Sequence, residues 1–456
     1  MSNKLSYYVI FTDPFTEIQN DKKVEKQIAF STISQQSLLL SKEACEMLQN
    51  GQFSQLETEV YDELVKHSFI VPEEKNELAD IIKENKNVIT DESLLYFVIQ
   101  PTAYCQLGCD YCGQEHVKKS MEHKTYDSIM KRLNLKYIPG KHKHLRIGWF
   151  GGEPLVGLQQ IRELTPMLRE FATSNNMAFT TKIVTNGLSL KENIFVELTQ
   201  ELNCKEFEIT LDGTAEFHDE RRHTKSKEKT FDIIFNNLKQ IISREDFTKA
   251  NYKLSIRCNV DKRNWEGVSP LIKLLGQEGF PQKIAYFYPI GVYSWGNDAH
   301  NGSLTKEEFA AKEIDWLIEM IQVGFKPSLL PGRVKTVCLA VSPTSEMFDA
   351  YGNVFNCTEV SYVPKYLESG FVLGNLGMPK LISDDRPLSN WNDKILNDGI
   401  QCSTCRMLPV CGGACPKSWS EDMRACPPNK FNIREKLMLS YLSTKESFLE
   451  TVQTID

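Results

Sequence analysis

Stretches typical of β-strands and of helices alternate six times between residues 94 and 300. Such alternation predicts right-handed βαβ units that place their strands in one parallel sheet. Because a complete (β/α)8 barrel needs eight units, six units predict an α/β fold built on a partial (β/α)6 TIM-like barrel. The predicted strands are residues 94–100, 145–150, 180–184, 206–211, 253–260 and 284–288.

Shorter patterns lie on either side of this predicted barrel. Two strand-like runs, 7–12 and 27–31, precede two helical stretches, 42–49 and 55–67, and this combination favours a winged-helix-like domain. An amphipathic helix follows the barrel, and the chain after it is rich in cysteine and poor in regular patterning. We therefore expect an N-terminal winged-helix-like domain, the barrel, a connecting helix with a bridging region, a cysteine-rich domain and a C-terminal helix. The predicted bounds are 1–90, 91–300, 301–334, 335–430 and 431–456.

The thirteen cysteines are unevenly placed, with three between residues 105 and 112 and seven between residues 338 and 426. An odd number of cysteines in a long chain, with no apolar signal segment after Met1, does not favour a disulfide framework. The scattered residues Cys45, Cys204 and Cys258 are expected to be small buried hydrophobes. We interpret the two groups as ligand sets for metal.

The first group is Cys105, Cys109 and Cys112, spaced C-x3-C-x2-C directly after the first predicted strand. Three thiolates on a short loop can hold three irons of a [4Fe–4S] cube and leave the fourth iron open. Gly108 is expected to give the loop the freedom to wrap a cluster. The alternative is a zinc knuckle with His116 as a fourth ligand, although zinc prefers paired C-x2-C spacings.

This spacing, with the aromatic Tyr111 before the third cysteine, resembles the signature of the radical S-adenosylmethionine (SAM) superfamily. Further segments that resemble the family follow the next predicted strands in order: 151–154 (GGEP), 185–187 (TNG), 210–213 (TLDG) and 257–259 (RCN). Acidic, amide, hydroxyl and guanidinium side chains match the polar groups of SAM. The resemblance implies contacts to SAM from Tyr111, Gly151, Gly152, Glu153, Pro154, Asn186, Thr210 and Arg257.

Each of these residues also has a plain structural explanation. The glycine pair can be a simple turn, Arg257 can brace the barrel through an ion pair, and Asp212 can only hold the shape of its loop. The resemblance implies in addition that SAM chelates the open iron, that one electron cleaves its carbon–sulfur bond, and that the resulting 5′-deoxyadenosyl radical abstracts a hydrogen atom from the substrate.

The second group of cysteines resembles the seven-cysteine SPASM pattern, a C-terminal extension that holds two auxiliary [4Fe–4S] clusters. By that resemblance one cluster has four ligands and the other has three. A pair of zinc ribbons is the alternative, which seven cysteines without a nearby histidine suit poorly. The fourth iron of the three-cysteine cluster is expected to be open or to have a non-cysteine ligand. The implied sets are Cys402, Cys405, Cys411 and Cys426 for one cluster, and Cys338, Cys357 and Cys415 for the other.

SPASM enzymes mostly modify peptides or proteins, so the resemblance implies a peptide maturase. The N-terminal domain looks like the module that captures the leader of a ribosomally made precursor peptide by adding it as a strand, and residues 7–12 or 27–31 are candidates for the edge. This branch installs carbon–carbon or thioether crosslinks or inverts stereocentres, and we predict a crosslink. The alternative is oxidation of a protein Cys or Ser, as in anaerobic sulfatase maturases, and an alternative of another class is a multi-cluster electron carrier.

No single side chain is identified as the catalytic base. In sulfatase maturases an aspartate directly follows the cysteine equivalent to Cys357, whereas here Thr358 and Glu359 follow it, and Glu359 is expected to be a solvated surface residue. Four aromatic residues near the last predicted strand are candidates for the substrate pocket or for plain core. These are Tyr286, Tyr288, Tyr293 and Trp295.

Composition limits the partners. The net charge of −7 gives no basic surplus, so nucleic acid is not expected, and no apolar run approaches the roughly 20 residues that span a bilayer. We expect a cytoplasmic protein. The resemblance implies a precursor peptide with a leader sequence and an electron donor such as flavodoxin or ferredoxin as partners.

Overall fold

The structure is a computed structural model that describes residues 2–19, 21–397 and 399–445. The last eleven residues of the predicted C-terminal helix, 446–456, lie outside the described residues. Among the described residues, no helix combines the length and the apolar character that crossing a bilayer requires.

The N-terminal domain contains a four-stranded antiparallel sheet and three helices. The long strand β4 is its centre, because β2 and β3 pair along one edge and β5 pairs along the other. The helix α1 begins after Ser41, whose side chain accepts a hydrogen bond from the amide of Ala44. The elements are β1 (Asn3–Leu5), β2 (Val9–Phe11), β3 (Phe15–Gln19), β4 (Lys22–Ser31), β5 (Ser37–Ser41), α1 (Lys42–Gln49), α2 (Thr58–Lys66), β6 (Ile70–Pro72) and α3 (Glu77–Thr90).

One of the two predicted edges for peptide capture is therefore wrong. Residues 27–31 belong to β4, whose residues 29–31 pair with β2 while residues 26–30 pair with β5 on the opposite side. A strand with partners on both sides has no backbone groups left to bind a third chain. The other predicted edge, residues 7–12, is wrong as well, because the outward carbonyl groups of Val9 and Phe11 in β2 accept hydrogen bonds from Arg406 and Arg434. The edges that remain are β3 and β5, which each pair only with β4 among the described residues.

The partial barrel follows, and its prediction is confirmed. Six parallel strands lie in the order β12-β11-β10-β9-β8-β7, with neighbours in sequence also neighbours in the sheet. Within the described residues β12 and β7 do not pair, so the barrel stays open. Its elements are β7 (Leu94–Ile99), α4 (His123–Lys136), β8 (His144–Trp149), α5 (Leu158–Ser174), β9 (Ala178–Thr185), α6 (Glu192–Gln200), β10 (Cys204–Thr210), α7 (Ala215–Arg221), α8 (Phe231–Ile242), β11 (Lys253–Val260), α9 (Val268–Gln277), α10 (Phe280–Lys283) and β12 (Tyr286–Gly291).

The cysteine-rich part extends the same sheet. Strand β13 pairs in parallel with β7, and β14 and β15 continue the sheet in antiparallel fashion. The buried carboxylate of Glu346 in β13 binds Arg132 of α4 through two hydrogen bonds of 2.6 and 2.8 Å, which ties the extension to the barrel. The remaining elements are α11 (Lys306–Gln322), β13 (Glu346–Phe348), β14 (Asn353–Phe355), β15 (Val372–Asn375), α12 (Trp391–Asn397), α13 (Leu408–Cys411), α14 (Pro416–Ser420) and α15 (Asn429–Leu442).

The N-terminal domain packs against this cysteine-rich part. Tyr8 and Ile81 share one apolar cluster with Trp391 and Cys402, and Phe30 lies in a second cluster that includes α13 and α15. Burial of apolar surface in these two clusters is the main attraction between the N-terminal domain and the cysteine-rich part. The domain therefore covers the region that carries the second group of cysteines.

Candidate functional site

A cavity opens at the carboxyl ends of the barrel strands, where substrate chemistry is expected in folds of this kind. It encloses about 940 Å³, including its open mouth, and all three cysteines of the first group line it. The predicted SAM contacts line the same cavity, with the exception of Pro154, which is buried in a short helical turn beside it. Residues that are more than 150 positions apart in the chain thus meet at one place.

The glycine pair after β8 is required by the protein backbone itself. A Cβ atom on Gly152 would lie 2.6 Å from the carbonyl oxygen of Tyr104, which precedes the first cysteine. Gly108 is different, since a Cβ there would lie 3.7 Å from the nearest atom, a carbon of His223. The structure thus has room for a side chain at position 108, and the close approach of the backbone occurs at Gly152 instead. The role of Gly108 in wrapping a cluster stays a prediction.

Glu153 connects two of the predicted segments. Its buried carboxylate accepts hydrogen bonds from the hydroxyl of Thr185 (2.6 Å), the amide of Asn186 (2.7 Å) and the amide of Leu155 (3.0 Å). Burial raises the pKa of Glu153, while these three hydrogen bonds act in the opposite direction. The carboxylate therefore holds the turn after β8 against the turn after β9.

Tyr111 belongs to a buried polar network beneath the cysteine loop. Its hydroxyl donates to Asp212 (2.6 Å) and accepts from Asn259 (3.0 Å) and from the guanidinium of Arg222. Asp212 also accepts from the backbone amide of Asn259 (2.8 Å). The Tyr111 hydroxyl has no hydrogen-bonding capacity left for a ligand, so it positions the loop and only the rest of the residue faces the cavity.

Arg222 is a cavity residue that the sequence analysis did not identify. It is 7% exposed, it lines the cavity, and its Nε has no hydrogen-bond partner within the described residues. The charge of Arg222 opposes the rise that burial causes in the pKa of the Cys109 thiol. A buried cation with an unused donor beside thiols fits an anionic ligand in the cavity. The only signal in the sequence was an unusually charged run at 219–222, which the structure places at the end of α7.

The remaining polar contacts lie around the rim. The side-chain amide of Asn186 is 3.7 Å from the sulfur of Cys105, and Arg257 donates from Nε to Asn259 at 2.8 Å. The Arg257 guanidinium is 3.8 Å from the carboxylate of Glu208, a loose ion pair that leaves most of its donors for a ligand. An ion pair that only braces the barrel would therefore use only part of the hydrogen-bonding capacity of Arg257.

Glu359 is not the solvated residue that we expected. It is half-buried in the wall of the cavity, where its carboxylate accepts a hydrogen bond from Tyr293 (3.0 Å) and its carbonyl accepts one from the indole of Trp295 (2.8 Å). Tyr293 and Trp295 also line the cavity, whereas Tyr286 and Tyr288 do not. Half of the predicted aromatic set thus faces the site.

Four cysteines of the second group line one enclosed cavity. They are those assigned to the complete auxiliary cluster, and the cavity encloses about 340 Å³. A left-handed turn at Gly412 and Gly413 shapes it, and a Cβ on Gly413 would lie 2.7 Å from the indole nitrogen of Trp391. The four are Cys402, Cys405, Cys411 and Cys426.

The other three cysteines lie together elsewhere. Burial raises the pKa of the Cys357 thiol, and the nearby carboxylate of Glu359 acts in the same direction. Cys338 and Cys415 act on the pKa of Cys357 in the same direction, as neighbouring groups that ionise to negative charges do. Glu359, two residues after Cys357, also lines the cavity of the first group.

The donor chemistry fits iron–sulfur clusters, because each iron of a cube takes its own thiolate and the cysteines therefore surround a volume. Among the described residues, no three His, Cys, Asp or Glu side chains converge on one point as ligands of a single ion. His116, the candidate fourth zinc ligand, lies 3.9 Å from the sulfur of Cys112, and burial lowers its pKa to about 4. The scattered Cys45, Cys204 and Cys258 are buried, as expected.

Known proteins resemble this chain. Residues 99–252 match the Radical SAM superfamily. The chain is 25% identical over 352 residues to a cysteine-type anaerobic sulfatase-maturating enzyme of Clostridium novyi (strain NT), covering 72% of this chain and 89% of that enzyme. It is 29% identical over 366 residues to a serine-type anaerobic sulfatase-maturating enzyme of Bacteroides thetaiotaomicron, covering 71% and 83%.

Its fold also resembles a solved structure, that of native anSMEcpe with bound AdoMet. The TM-score is 0.54 at 18% identity, and the match covers 80% of this chain and all of that one. The same protein with bound AdoMet and the Cp18Cys peptide gives a TM-score of 0.53 at 19% identity, over 79% of this chain and 99% of that one. At these identities the likeness concerns the fold.

Proposed function

Because the chain is an enzyme with a radical SAM domain and a homologue of anaerobic sulfatase-maturating enzymes, we propose that it abstracts a hydrogen atom from a ribosomally made precursor peptide and installs an intramolecular carbon–carbon or thioether crosslink. The observation that carries the first half of this proposal is the cavity in which three cysteines, the glycine pair and four polar side chains meet. Since the domain and its relatives are enzymes, a pure electron carrier is no longer a competing explanation.

The proposed cofactors are SAM and three [4Fe–4S] clusters. Cys105, Cys109 and Cys112 are the ligands of the first, and the four-cysteine cavity and the three-cysteine set hold the auxiliary clusters. When bound, the first cluster and SAM supply a 5′-deoxyadenosyl radical by one-electron cleavage of a carbon–sulfur bond, while the protein supplies orientation and a dry site.

The chain's own residues would orient SAM as follows. The free donors of Arg257 and the unused Nε of Arg222 are suited to a carboxylate or to ribose oxygens, and Asn186 and Thr210 offer an amide and a hydroxyl on the same rim. Glu153 uses three of its acceptor positions on the protein, so it would contribute through the backbone turn that it fixes and through its remaining lone pair. Pro154 would act only by keeping that turn rigid.

Glu359 is the proposed proton acceptor for the substrate. It faces the cavity, and its two protein hydrogen bonds to the carboxylate come from Tyr293 and Thr358, which leaves acceptor positions open. A general base must lie within hydrogen-bond reach of the proton that it removes, so the proposal requires the substrate to bind beside Glu359 in the cavity. Formation of a crosslink removes a hydrogen atom, which the radical takes, together with a proton and an electron. A base is therefore needed for the proton, and the proposed auxiliary clusters would take the electron.

The N-terminal domain supports the choice of a precursor peptide. The open edge of β5 exposes alternate backbone groups of Ser37, Leu39 and Ser41, as strand addition by a leader peptide requires. The match to the anSMEcpe structure covers all of that chain and 80% of this one. A domain with an open edge is the feature that a leader-dependent maturase needs.

Sulfatase maturation remains the second candidate. It is favoured by the two relatives that are sulfatase-maturating enzymes and by the structure that contains the Cp18Cys peptide. Under this alternative Glu359 would replace the aspartate of those enzymes, one position further along the chain. The substrate would then be a Cys or Ser of a sulfatase, and the N-terminal domain would serve only as a support.

The first experiment measures cofactor chemistry. We expect about twelve irons per chain after anaerobic reconstitution, four for each of three clusters, and 5′-deoxyadenosine formation with SAM and dithionite. Cys105→Ala/Cys109→Ala/Cys112→Ala should lose about four irons and all nucleoside formation, whereas Cys45→Ala serves as a control that keeps both. Bound zinc, or no nucleoside from the wild type, would refute the proposal.

The second experiment separates the two substrates. The enzyme is incubated with the peptide encoded next to its gene and, separately, with a sulfatase peptide that carries the target Cys or Ser. Loss of two hydrogen atoms from the encoded peptide without an aldehyde, detected by mass spectrometry, supports the crosslink. An aldehyde in the sulfatase peptide supports the second candidate instead. Removing the leader from the encoded peptide should abolish its crosslinking. Oxidation of the sulfatase peptide should not depend on a leader.

A further inference from the structure

A basic groove lies next to the four-cysteine cavity, on the surface where the N-terminal domain meets the cysteine-rich part. It encloses about 1190 Å³, including its open mouth, between β2, the segment 401–407 and the start of α15. We call this groove the basic groove. Its main lining residues are Tyr7, Thr404, Cys405, Arg406, Lys430 and Arg434.

The basic groove and the four-cysteine cavity share a wall. Cys405 and Lys430 line both of them, and Cys405 is half-exposed, whereas Cys402 and Cys426 are buried. The ammonium of Lys430 is 3.7 Å from the sulfur of Cys426, so this residue faces the cysteines from the groove. A cofactor held by the four cysteines would therefore be separated from solvent on this side only by the wall that the groove shares with their cavity.

The charge of the basic groove is opposite to that of the whole chain. Arg406, Lys430 and Arg434 line it, and Glu435 is the one carboxylate among its lining residues, whereas the chain as a whole has a net charge of −7. A patch of one sign in a surface of the other attracts and orients a partner of complementary charge. The partner that fits this patch is acidic.

The hydrogen bonds of Arg406 and Arg434 exclude a peptide that would bind by adding a strand to β2. Arg406 donates from Nη1 to the carbonyl oxygen of Val9 (3.1 Å), and Arg434 donates from Nε to the carbonyl oxygen of Phe11 (3.0 Å). These carbonyl groups are the outward acceptors of β2, so a peptide cannot extend the sheet there. Each guanidinium keeps further donors that face solvent, and both residues are exposed.

We propose that the basic groove is the docking site of a small acidic electron carrier, such as a flavodoxin or a ferredoxin. This inference rests on the proposed function in one respect, namely that the four cysteines hold an iron–sulfur cluster. The carrier would give up one electron and a cluster held by the four cysteines would take it up, with no bond made or broken. Contacts between electron carriers and their partners are small and transient, and a groove of this size with a charged rim suits them.

The test measures association of the full-length reconstituted enzyme with an acidic flavodoxin by biolayer interferometry. At low ionic strength Arg406→Gln/Arg434→Gln should lower the association rate constant about tenfold, because rim charges act mainly on that rate. The difference should vanish near 0.5 M salt, where the Debye length falls to roughly 4 Å. Arg406→Lys/Arg434→Lys keeps the charge and should retain most of the rate. Lys131→Gln/Lys191→Gln, at two exposed positions on the barrel, removes the same charge elsewhere and should change the rate less than twofold.

A second measurement follows reduction of the enzyme by reduced flavodoxin and, separately, by dithionite. The glutamine variant should be reduced more slowly by flavodoxin and at the wild-type rate by dithionite. Equal slowing with both reductants would mean that the arginines only hold the cluster site, and it would overturn the proposal. Wild-type flavodoxin kinetics combined with weaker binding of the precursor peptide would assign the groove to the substrate, which also overturns it. Nucleoside formation with dithionite tests the proposed function separately, so the two can fail independently.

Discussion

Substitution of Glu346 by glutamine should loosen the junction between the barrel and the cysteine-rich extension. The Glu346 side chain is fully buried and faces three cations. Arg132 makes the two hydrogen bonds described above, Lys136 lies 3.1 Å away and Arg386 lies 3.2 Å away. Removing one partner from a buried ion pair typically costs about 3–5 kcal/mol, because the remaining charges stay buried without compensation. The variant Glu346→Gln leaves the three positive charges of Arg132, Lys136 and Arg386 without their carboxylate partner.

The assay is the thermal unfolding midpoint of the cofactor-free protein, followed by circular dichroism. A loss of 3–5 kcal/mol corresponds to a decrease of roughly 10 °C for a domain of about 200 residues. The matched control is Glu307→Gln, since Glu307 faces Arg424 at 3.6 Å on the surface and its side chain is 60% exposed. Such surface pairs contribute about 0–1 kcal/mol, so the control should unfold within about 2 °C of the wild type.

The pH dependence gives a second check. Burial alone would raise the pKa of Glu346, but the hydrogen bond from Arg132 and the nearby charges of Lys136 and Arg386 outweigh burial and hold the pKa below its ordinary value. A carboxyl group with a lower pKa in the folded state contributes stability above its unfolded pKa of about 4.3 and loses that contribution as the pH falls through the folded value. The wild type and the variant should therefore converge in acid. A variant with the wild-type midpoint at pH 7, or a difference that persists unchanged at pH 3, would refute the reasoning.

Three further predictions concern the site. Gly152→Ala would place a Cβ 2.6 Å from the carbonyl oxygen of Tyr104 and should reduce 5′-deoxyadenosine formation at least tenfold, whereas Gly108→Ala has room and should keep most of it. Cys411→Ser should lower the iron content by up to about four per chain without affecting SAM binding, measured by equilibrium dialysis, because the two sites are separate. Glu359→Gln should keep nucleoside formation within about twofold and lower peptide product at least a hundredfold; equal loss of both would contradict its assignment as a base.

The barrel was predictable because its signals are local. Each strand is a run of six to eight apolar or alternating residues followed by a helix, so the predicted strand 253–260 coincides with β11 and the others differ by a few residues. The first strand of the cysteine-rich extension was not predicted, since Glu346–Phe348 is too short to show a period. Its place beside β7 depends on a contact between residues about 250 positions apart, which no local pattern encodes.

The candidate site was predictable where residue type and spacing determine the chemistry. Cysteine spacing was sufficient to place Cys105, Cys109 and Cys112 in one loop, and the structure puts that loop on the cavity. Burial is what the sequence does not reveal. Arg222 and Glu359 are both charged, a property usually found at the surface, so their positions in the cavity wall depend on how the loops pack in three dimensions.

The pairing of β13 with β7 has a consequence for any attempt to shorten this protein. In the folded protein β7 has hydrogen-bonded neighbours on both sides. A chain truncated before Glu346 would leave one side of β7 with unpaired backbone groups on an apolar strand, which is a template for aggregation. The two cysteine-bearing parts should therefore be expressed as one piece, and a gene that lost the second part would have to gain another cover for this strand.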